Sequence, residues 1–208
     1  EGAKFYNSAS MTLEEVIEVI ERAEKDNLKV VRLHTGDPTI YGAIREQMDI
    51  LDIKGISYEV VPGVSSFTAA CASIKREFTL PNVSQTVILT RIEGRTPVPE
   101  EEDLEFLAKY KASMAIFLSV QEIDRVVEKL VKGYGTDNIP VAIVYKATWE
   151  DEKIIFGTLK DIEEKVKKEN INKMAQILVG NFIEGEYDRS KLYDPSFTHK
   201  FRSGAKWK

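Results

Sequence analysis

The chain has 208 residues, 43% of them hydrophobic, enough to bury a sizeable core in one large domain or two small ones. Its 34 acidic and 29 basic side chains give a formal net charge of -5 and are mixed along the whole length, which argues against a dedicated nucleic-acid surface. The one cysteine, Cys71, excludes an intramolecular disulfide and a cysteine-based zinc site and fits a reducing cytoplasm, while no apolar run approaches the roughly 20 residues of a membrane span and the opening EGAKFYNSAS lacks the regions of a secretory signal.

Thr12 and Glu15 have capping-box spacing, and Leu13, Val16, Ile17 and Ile20 recur at helical intervals, so the first element is an amphipathic helix that Asn27 breaks. Residues 29–33 read as a short buried strand. A helix over 40–53 follows, with Ile44, Met48 and Leu51 on one face and Gly55 at its end, and then a strand over 57–61. Ser65 or Ser66 caps a helix of small residues running to Ser73. Such alternation predicts a parallel sheet covered on both faces, with ligands beyond the carboxyl ends of its strands.

Pro81 and Asn82 interrupt the pattern, which places a domain boundary at 83. The first α/β domain is then 1–83 and a second spans 84–184. In the second, strands are predicted over 86–90, 113–118, 141–145, 153–157 and 175–180, with helices near 101–110, 121–132 and 159–168; the strand at 153–157 pairs in a hairpin, giving a larger antiparallel share. Residues 185–208 form a polar and aromatic arm, in which Tyr187, Tyr193, Phe197 and Phe201 favour packing on a neighbouring surface over a mobile end.

Two apolar runs break into small polar loops: VVRLHTGDPTIY at 30–41 and VVPGVSSFTAACA at 60–72. Gly36 and Gly63 let a ligand come close to the backbone, and Ser65 and Ser66 bring hydroxyls and amides to a helix start, so the two junctions together predict a cofactor crevice. The plainer reading of Asp37 is a turn residue that bonds nearby backbone amides. Phosphate-cradling signatures of the GxxxxGK[ST] and GxGxxG types are absent, as is a GxSxG elbow. Of the two histidines, His34 reads as a structural residue beside the TGDP turn and His199 lies in the arm. The loop TRIEGRTPVP puts Arg91, Glu93 and Arg95 within five residues; it is either a solvated charged loop or a site for a substrate with several carboxylates, which guanidinium groups bind bidentately. Lys146, between Tyr145 and Ala147, offers a third cation, and Phe117 and Leu118 read as ordinary core at a strand end.

The segments HTGDPTIYGAIREQM, EVVPGVSSFTAACA, QTVILTRIEGRTPVPE, VYKATWEDEKI, QILVG and LYDPSFTHKFR, in that order, resemble the tetrapyrrole methylases. TRIEGRTPVP and VYKATW point to the branch that methylates C-11 of precorrin-4 or cobalt-precorrin-4 in cobalamin biosynthesis. The resemblance implies the tetrapyrrole methylase fold, two α/β domains with the ligand cleft between them, acting as a homodimer. It further implies methyl transfer from S-adenosylmethionine, leaving S-adenosylhomocysteine, to a corrinoid substrate; any metal would be carried by the tetrapyrrole, and the charge mixing and lack of an apolar span point to no nucleic-acid or membrane partner. Cofactor contacts are implied for Thr35, Gly36, Asp37, Ile40, Ser65, Ser66, Leu118, Tyr145, Ala147 and Ala175. Arg91, Arg95 and Lys146 are assigned to substrate carboxylates, and the proton-abstracting group stays unnamed because Glu93 and Tyr145 are plausible by position only. A different acceptor, such as another corrinoid carbon or the diphthamide precursor on a protein, stays open, as does a non-catalytic ligand-binding role. Members of the family begin with an apolar strand and a GxGPGDP loop that have no counterpart here, so roughly fifty residues of the first domain are expected to be lacking. If they are truly absent, an unstable first domain and poor activity follow, and the intact mass decides.

Overall fold

The computed structural model describes residues 2–205. By compactness the chain divides into two units, Glu1–Ser65 and Ser66–Lys208. The division falls ahead of the position 83 expected from Pro81 and Asn82, and residues 66–83 group with the second unit.

In the first unit, α1 (Leu13–Lys25) starts at the predicted capping box: the Thr12 hydroxyl accepts from the Glu15 amide at 3.3 Å, and the Glu15 carboxylate accepts from the Thr12 amide at 2.7 Å. Its apolar face buries Val16, Ile17 and Ile20 against Leu51 of α2 (Arg45–Lys54). The second helix begins later than the apolar spacing suggests. Residues 38–41 instead form a turn, and Tyr41 and Ala43 have φ of 55° and 48°, which a right-handed helix excludes.

The strands expected at 29–33 and 57–61, and with them the parallel sheet of this unit, are not formed. Among the described residues neither segment donates or accepts a backbone-to-backbone hydrogen bond. Their apolar side chains, Val30, Val31, Leu33, Tyr58, Val60 and Val61, stay exposed. Apolar composition favours a strand, but a strand exists only where a neighbour supplies the opposite half of the ladder.

The second unit opens with α3 (Ser66–Ser73) and holds a five-stranded sheet in the order β1-β2-β5-β3-β4. Its strands are β1 (Val87–Arg91), β2 (Ser113–Phe117), β3 (Pro140–Tyr145), β4 (Lys153–Thr158) and β5 (Ala175–Val179). Only β1 and β2 pair in parallel; β2 with β5, β5 with β3 and β3 with β4 are antiparallel, the last as the predicted hairpin. Helices α4 (Leu104–Ala108), α5 (Ile123–Tyr134) and α6 (Ile162–Lys168) pack on one face. That core alternates along the strands as a pleated sheet requires: Met114 and Ile116, Val141 and Ile143, Ile177 and Val179 meet Leu104, Val126, Leu130 and Ile162. Around Phe117, rings of Phe67, Phe78 and Phe182 stack in a tilted chain with centroids 4.8–6.3 Å apart, which ties α3 and the 74–83 connection to this unit.

Beyond Gly185 the arm bonds chiefly to itself: the Arg202 guanidinium donates to the Leu192 and Asp194 carbonyls at 2.7 and 2.6 Å, and Gly204 to the Thr198 hydroxyl at 2.9 Å. Tyr187, Tyr193, Phe197 and Phe201 remain exposed, so packing of these rings on a surface of this chain is not observed.

Candidate functional site

The residues singled out from sequence fall in both units. In the first, Thr35, Gly36, Asp37 and Ile40 lie on the turn that follows 29–33. One carboxylate oxygen of Asp37 accepts from the Thr39 amide at 2.8 Å and from the Thr39 hydroxyl; the other accepts from the Gly63 amide at 3.0 Å. These bonds, that of the Thr39 hydroxyl first, hold the Asp37 carboxyl below the usual carboxylate range. Asp37 therefore clamps the TGDP turn to the PGV turn. The same closeness explains both glycines. Gly36 has φ of 68°, and a Cβ on Gly63 would lie 2.1 Å from the Gly36 carbonyl oxygen. His34 is half-buried, and burial followed by the nearby Arg32 charge pushes its pKa down, favouring the neutral imidazole. Ser65 closes this unit and is buried.

In the second unit the ladder register gathers the other candidates at one end of the sheet. β1, β2 and β3 run in the same direction and β5 runs opposite, so the carboxyl ends of the first three meet the start of β5. Arg91 pairs with Phe117, the residue before Leu118, and Tyr145 pairs with Ala175. Leu118 sits just past β2 with φ of 51° and is 65% exposed, so it is not the core residue its position in an apolar run suggested. Buried Ser119 fixes that bend: its hydroxyl accepts from the Ile92 amide at 3.0 Å and donates to the Phe117 carbonyl. Lys146, also at positive φ, and Ala147 follow Tyr145 on the same edge.

Ser66, at the start of α3, reaches this edge through a residue the sequence reading missed. Gln176 is buried in β5; its Oε1 accepts from the Ser66 hydroxyl at 2.8 Å and its Nε2 donates to the Ile116 carbonyl at 2.9 Å. The signal was present in the sequence as a lone amide at an interior position of the apolar run AQILV.

The charged candidates are less free than the sequence suggested. Arg91 donates to the Ile92 and Thr96 carbonyls at 3.2 Å and to Pro97 at 2.7 Å, bracing its own loop. Glu93 pairs with Arg125 at 2.5 Å and Lys129 at 3.3 Å. Lys146 pairs with Asp151 and lies 5.2 and 5.5 Å from the ring centroids of Tyr145 and Trp149; the Asp151 bond raises its pKa. Arg95 is exposed. Among the described residues no group of three or more His, Cys, Asp or Glu is placed to hold a metal ion, and no helix is long and apolar enough to cross a membrane. Cys71 is buried, and its thiol, pushed up to about 11 chiefly by burial, is bonded to the Arg76 carbonyl at 3.1 Å.

Comparison with known proteins agrees with the motif pattern. Residues 3–163 match the family of Tetrapyrrole (Corrin/Porphyrin) Methylases. A cobalt-precorrin-4 C(11)-methyltransferase of Methanocaldococcus jannaschii is 58% identical over 206 residues, which are 99% of this chain and 80% of that enzyme, so the relative is about 50 residues longer. An S-adenosyl-L-methionine-dependent uroporphyrinogen III methyltransferase of Methanosarcina barkeri is 31% identical over 86% of this chain and 71% of its own length. Among solved structures, that of a cobalt precorrin-4 methyltransferase of cobalamin biosynthesis superposes with a TM-score of 0.86 at 45% identity, covering 89% of this chain and 77% of the other. The chain belongs to the tetrapyrrole methylases.

Proposed function

We propose that this chain is an S-adenosylmethionine-dependent C-methyltransferase that methylates C-11 of precorrin-4 or cobalt-precorrin-4 in corrin ring biosynthesis. The observation that carries the reading is the identity, over nearly the whole chain, with an enzyme of that name. The structure adds support in that TRIEGRTPVP and VYKATW, the segments on which the C-11 assignment rests, leave the sheet at the same end.

S-adenosylmethionine fits the groups found there: hydroxyls, main-chain groups and small side chains suit a ribose, an adenine and a sulfonium, and no phosphate-binding loop competes. When bound, it supplies an electrophilic methyl group. The residues assigned to it are Thr35, Gly36, Asp37, Ile40, Ser65, Ser66, Leu118, Tyr145, Ala147 and Ala175. With its hydroxyl proton given to Gln176, Ser66 keeps its lone pairs for a ligand donor. Displacement at a methyl carbon needs alignment rather than a covalent nucleophile, so the fixed bend at Leu118 and the pinned start of α3 are the positioning elements. Arg95 and Lys146 are assigned to substrate carboxylates. Lys146 shares its charge with Asp151, while Arg91 keeps the loop in shape. Glu93, engaged by two cations, is a poor general base, and the group that takes the proton is left unassigned. The reading extends to a homodimer in the cytoplasm with no nucleic-acid or membrane partner, which the mixed charge supports.

Incubation with S-adenosylmethionine and, separately, precorrin-4, cobalt-precorrin-4, another corrinoid and the diphthamide precursor protein tests the assignment, with products read by mass spectrometry. One methyl gained on a precorrin-4 form alone is the expected result. Transfer to a different acceptor, or saturable S-adenosylhomocysteine binding with no transfer to any, overturns it.

A further inference from the structure

The β3–β4 hairpin turns through residues 146–152, a loop longer than the roughly two to five residues that join most hairpins. Two of its residues stand in the left-handed region, Lys146 with φ of 48° and Thr148 with φ of 73°. Neither is glycine, and the branched Cβ of Thr148 makes that conformation unfavourable, so it persists only where neighbours impose it. Ala147 lies between the two. Backbone of this kind collects at ligand clamps, where a fixed surface matters more than local stability.

One side chain imposes it. The Oε2 of Glu152 accepts from the Thr148 amide at 2.7 Å and from the Ser73 hydroxyl at 2.7 Å, so a single oxygen ties the strained turn to the last residue of α3. Main-chain bonds complete the loop: the Trp149 amide donates to the Lys146 carbonyl at 3.0 Å, that of Glu152 to the Trp149 carbonyl at 3.1 Å, and that of Lys146 to the Met174 carbonyl at 2.8 Å, just ahead of β5. Asp151 pairs with Lys146 and Glu169 with Lys153, whereas Glu152 makes no ion pair among the described residues. Its carboxylate serves geometry rather than charge balance. The other end of α3 is fixed by the Ser66 hydroxyl on Gln176 of β5 at 2.8 Å. Both ends of the helix are therefore bonded to the edge of the sheet where Ser66, Ala147 and Ala175 gather.

We propose that Glu152 is a positioning residue for the methyl donor: it locks the 146–152 loop onto α3 and so fixes the spacing of Ala147 and Ser66, two of the residues assigned to the cofactor. Glu152 acts through the loop and is assigned no contact with the ligand. Without it, Thr148 relaxes out of the left-handed region and carries the backbone of Ala147 and Lys146 with it, while the core around Ile143, built from other residues, stays intact. The inference rests on the methyltransferase reading, because the loop is held for the S-adenosylmethionine assigned there.

Three measurements on the protein and on Glu152→Ala and Glu152→Gln test this: S-adenosylhomocysteine affinity by calorimetry, exchange of the Thr148 amide by NMR, and melting temperature. A glutamine oxygen still accepts from both donors, whereas alanine accepts from neither. Glu152→Ala is expected to weaken S-adenosylhomocysteine binding about tenfold and to speed Thr148 exchange about tenfold, with the melting temperature within about 3 °C of wild type. Glu152→Gln stays within about threefold of wild type in both. In turnover, the KM for S-adenosylmethionine rises in step with the lost affinity while kcat changes less. Ser73→Ala, which removes only the bond to α3, is expected to weaken binding in the same direction and carries the test if Glu152→Ala does not fold. Unchanged affinity in either folded variant overturns the inference, as does a loss in Glu152→Gln equal to that in Glu152→Ala, or a loss that appears only together with a lowered melting temperature. A wild-type protein that binds no S-adenosylhomocysteine overturns the methyltransferase reading and this role with it; wild-type binding beside an unaffected Glu152→Ala overturns this role alone.

Discussion

Asp37 and Gly63 stand 26 residues apart and hold one another's turns, so each is sensitive to a change at the other. The bonds to Asp37 favour its charged form and lower its pKa in the folded protein relative to the unfolded chain. Their contribution is therefore complete above the ordinary aspartate pKa and is lost as pH falls through the lowered folded value. The Gly63 amide resonance is expected to titrate below the midpoint of an unperturbed aspartate; a midpoint at or above the ordinary value contradicts the clamp. Gly63→Ala forces a methyl onto the Gly36 carbonyl and should destabilise the first unit by about 1–3 kcal/mol, read from denaturant unfolding. At the sheet end, Gln176→Leu leaves the Ile116 carbonyl without its side-chain donor and frees the Ser66 hydroxyl. A loss of about 1–3 kcal/mol in stability is expected, together with S-adenosylhomocysteine binding weakened about tenfold by calorimetry. Unchanged affinity in a folded variant separates Gln176 from the ligand. Turn residues were legible from the sequence because GDP and PGV carry their backbone preferences locally. The Asp37 bond to the Thr39 amide belongs to that turn reading, but its bond to Gly63 and the partners of Arg91 and Glu93 were not legible, since a side chain finds distant carbonyls, amides and charges only after the fold brings them close.

Elements whose apolar pattern meets a neighbour within the chain formed as the sequence predicts: α1 with its capping box, α5, and the five strands of the second unit. Residues 29–33 and 57–61 have a comparable pattern and did not form strands, because periodicity reports a preference for burial and says nothing of whether a pairing partner is present. Likewise Leu118 ends an apolar run yet stands exposed, its direction set by the Ser119 bend rather than by the alternation of β2. The central strands carry the second unit. Ile143 is fully buried between β4 and β5, and Ile143→Ala should cost about 2–5 kcal/mol, seen as loss of exchange protection across β3, β4 and β5. If protection there is unchanged, this core does not hold the sheet together.

At the scale of the whole molecule, the two units differ in what secures them. The buried core of the first consists of Val16, Ile17, Ile20 and Leu51, whereas the second encloses a five-stranded sheet between packed layers. Two thermal transitions are expected by calorimetry, the first unit melting at the lower temperature; a single transition with equal calorimetric and van't Hoff enthalpies contradicts independent units. The residues proposed for the cofactor are drawn from both units. The most direct test of the central claim is transfer of a carbon-13 methyl group from labelled S-adenosylmethionine to precorrin-4 and to cobalt-precorrin-4, with the product located by NMR. A single labelled methyl on C-11 is the predicted result. A label on any other carbon, or none transferred by a protein that binds S-adenosylhomocysteine, contradicts the account.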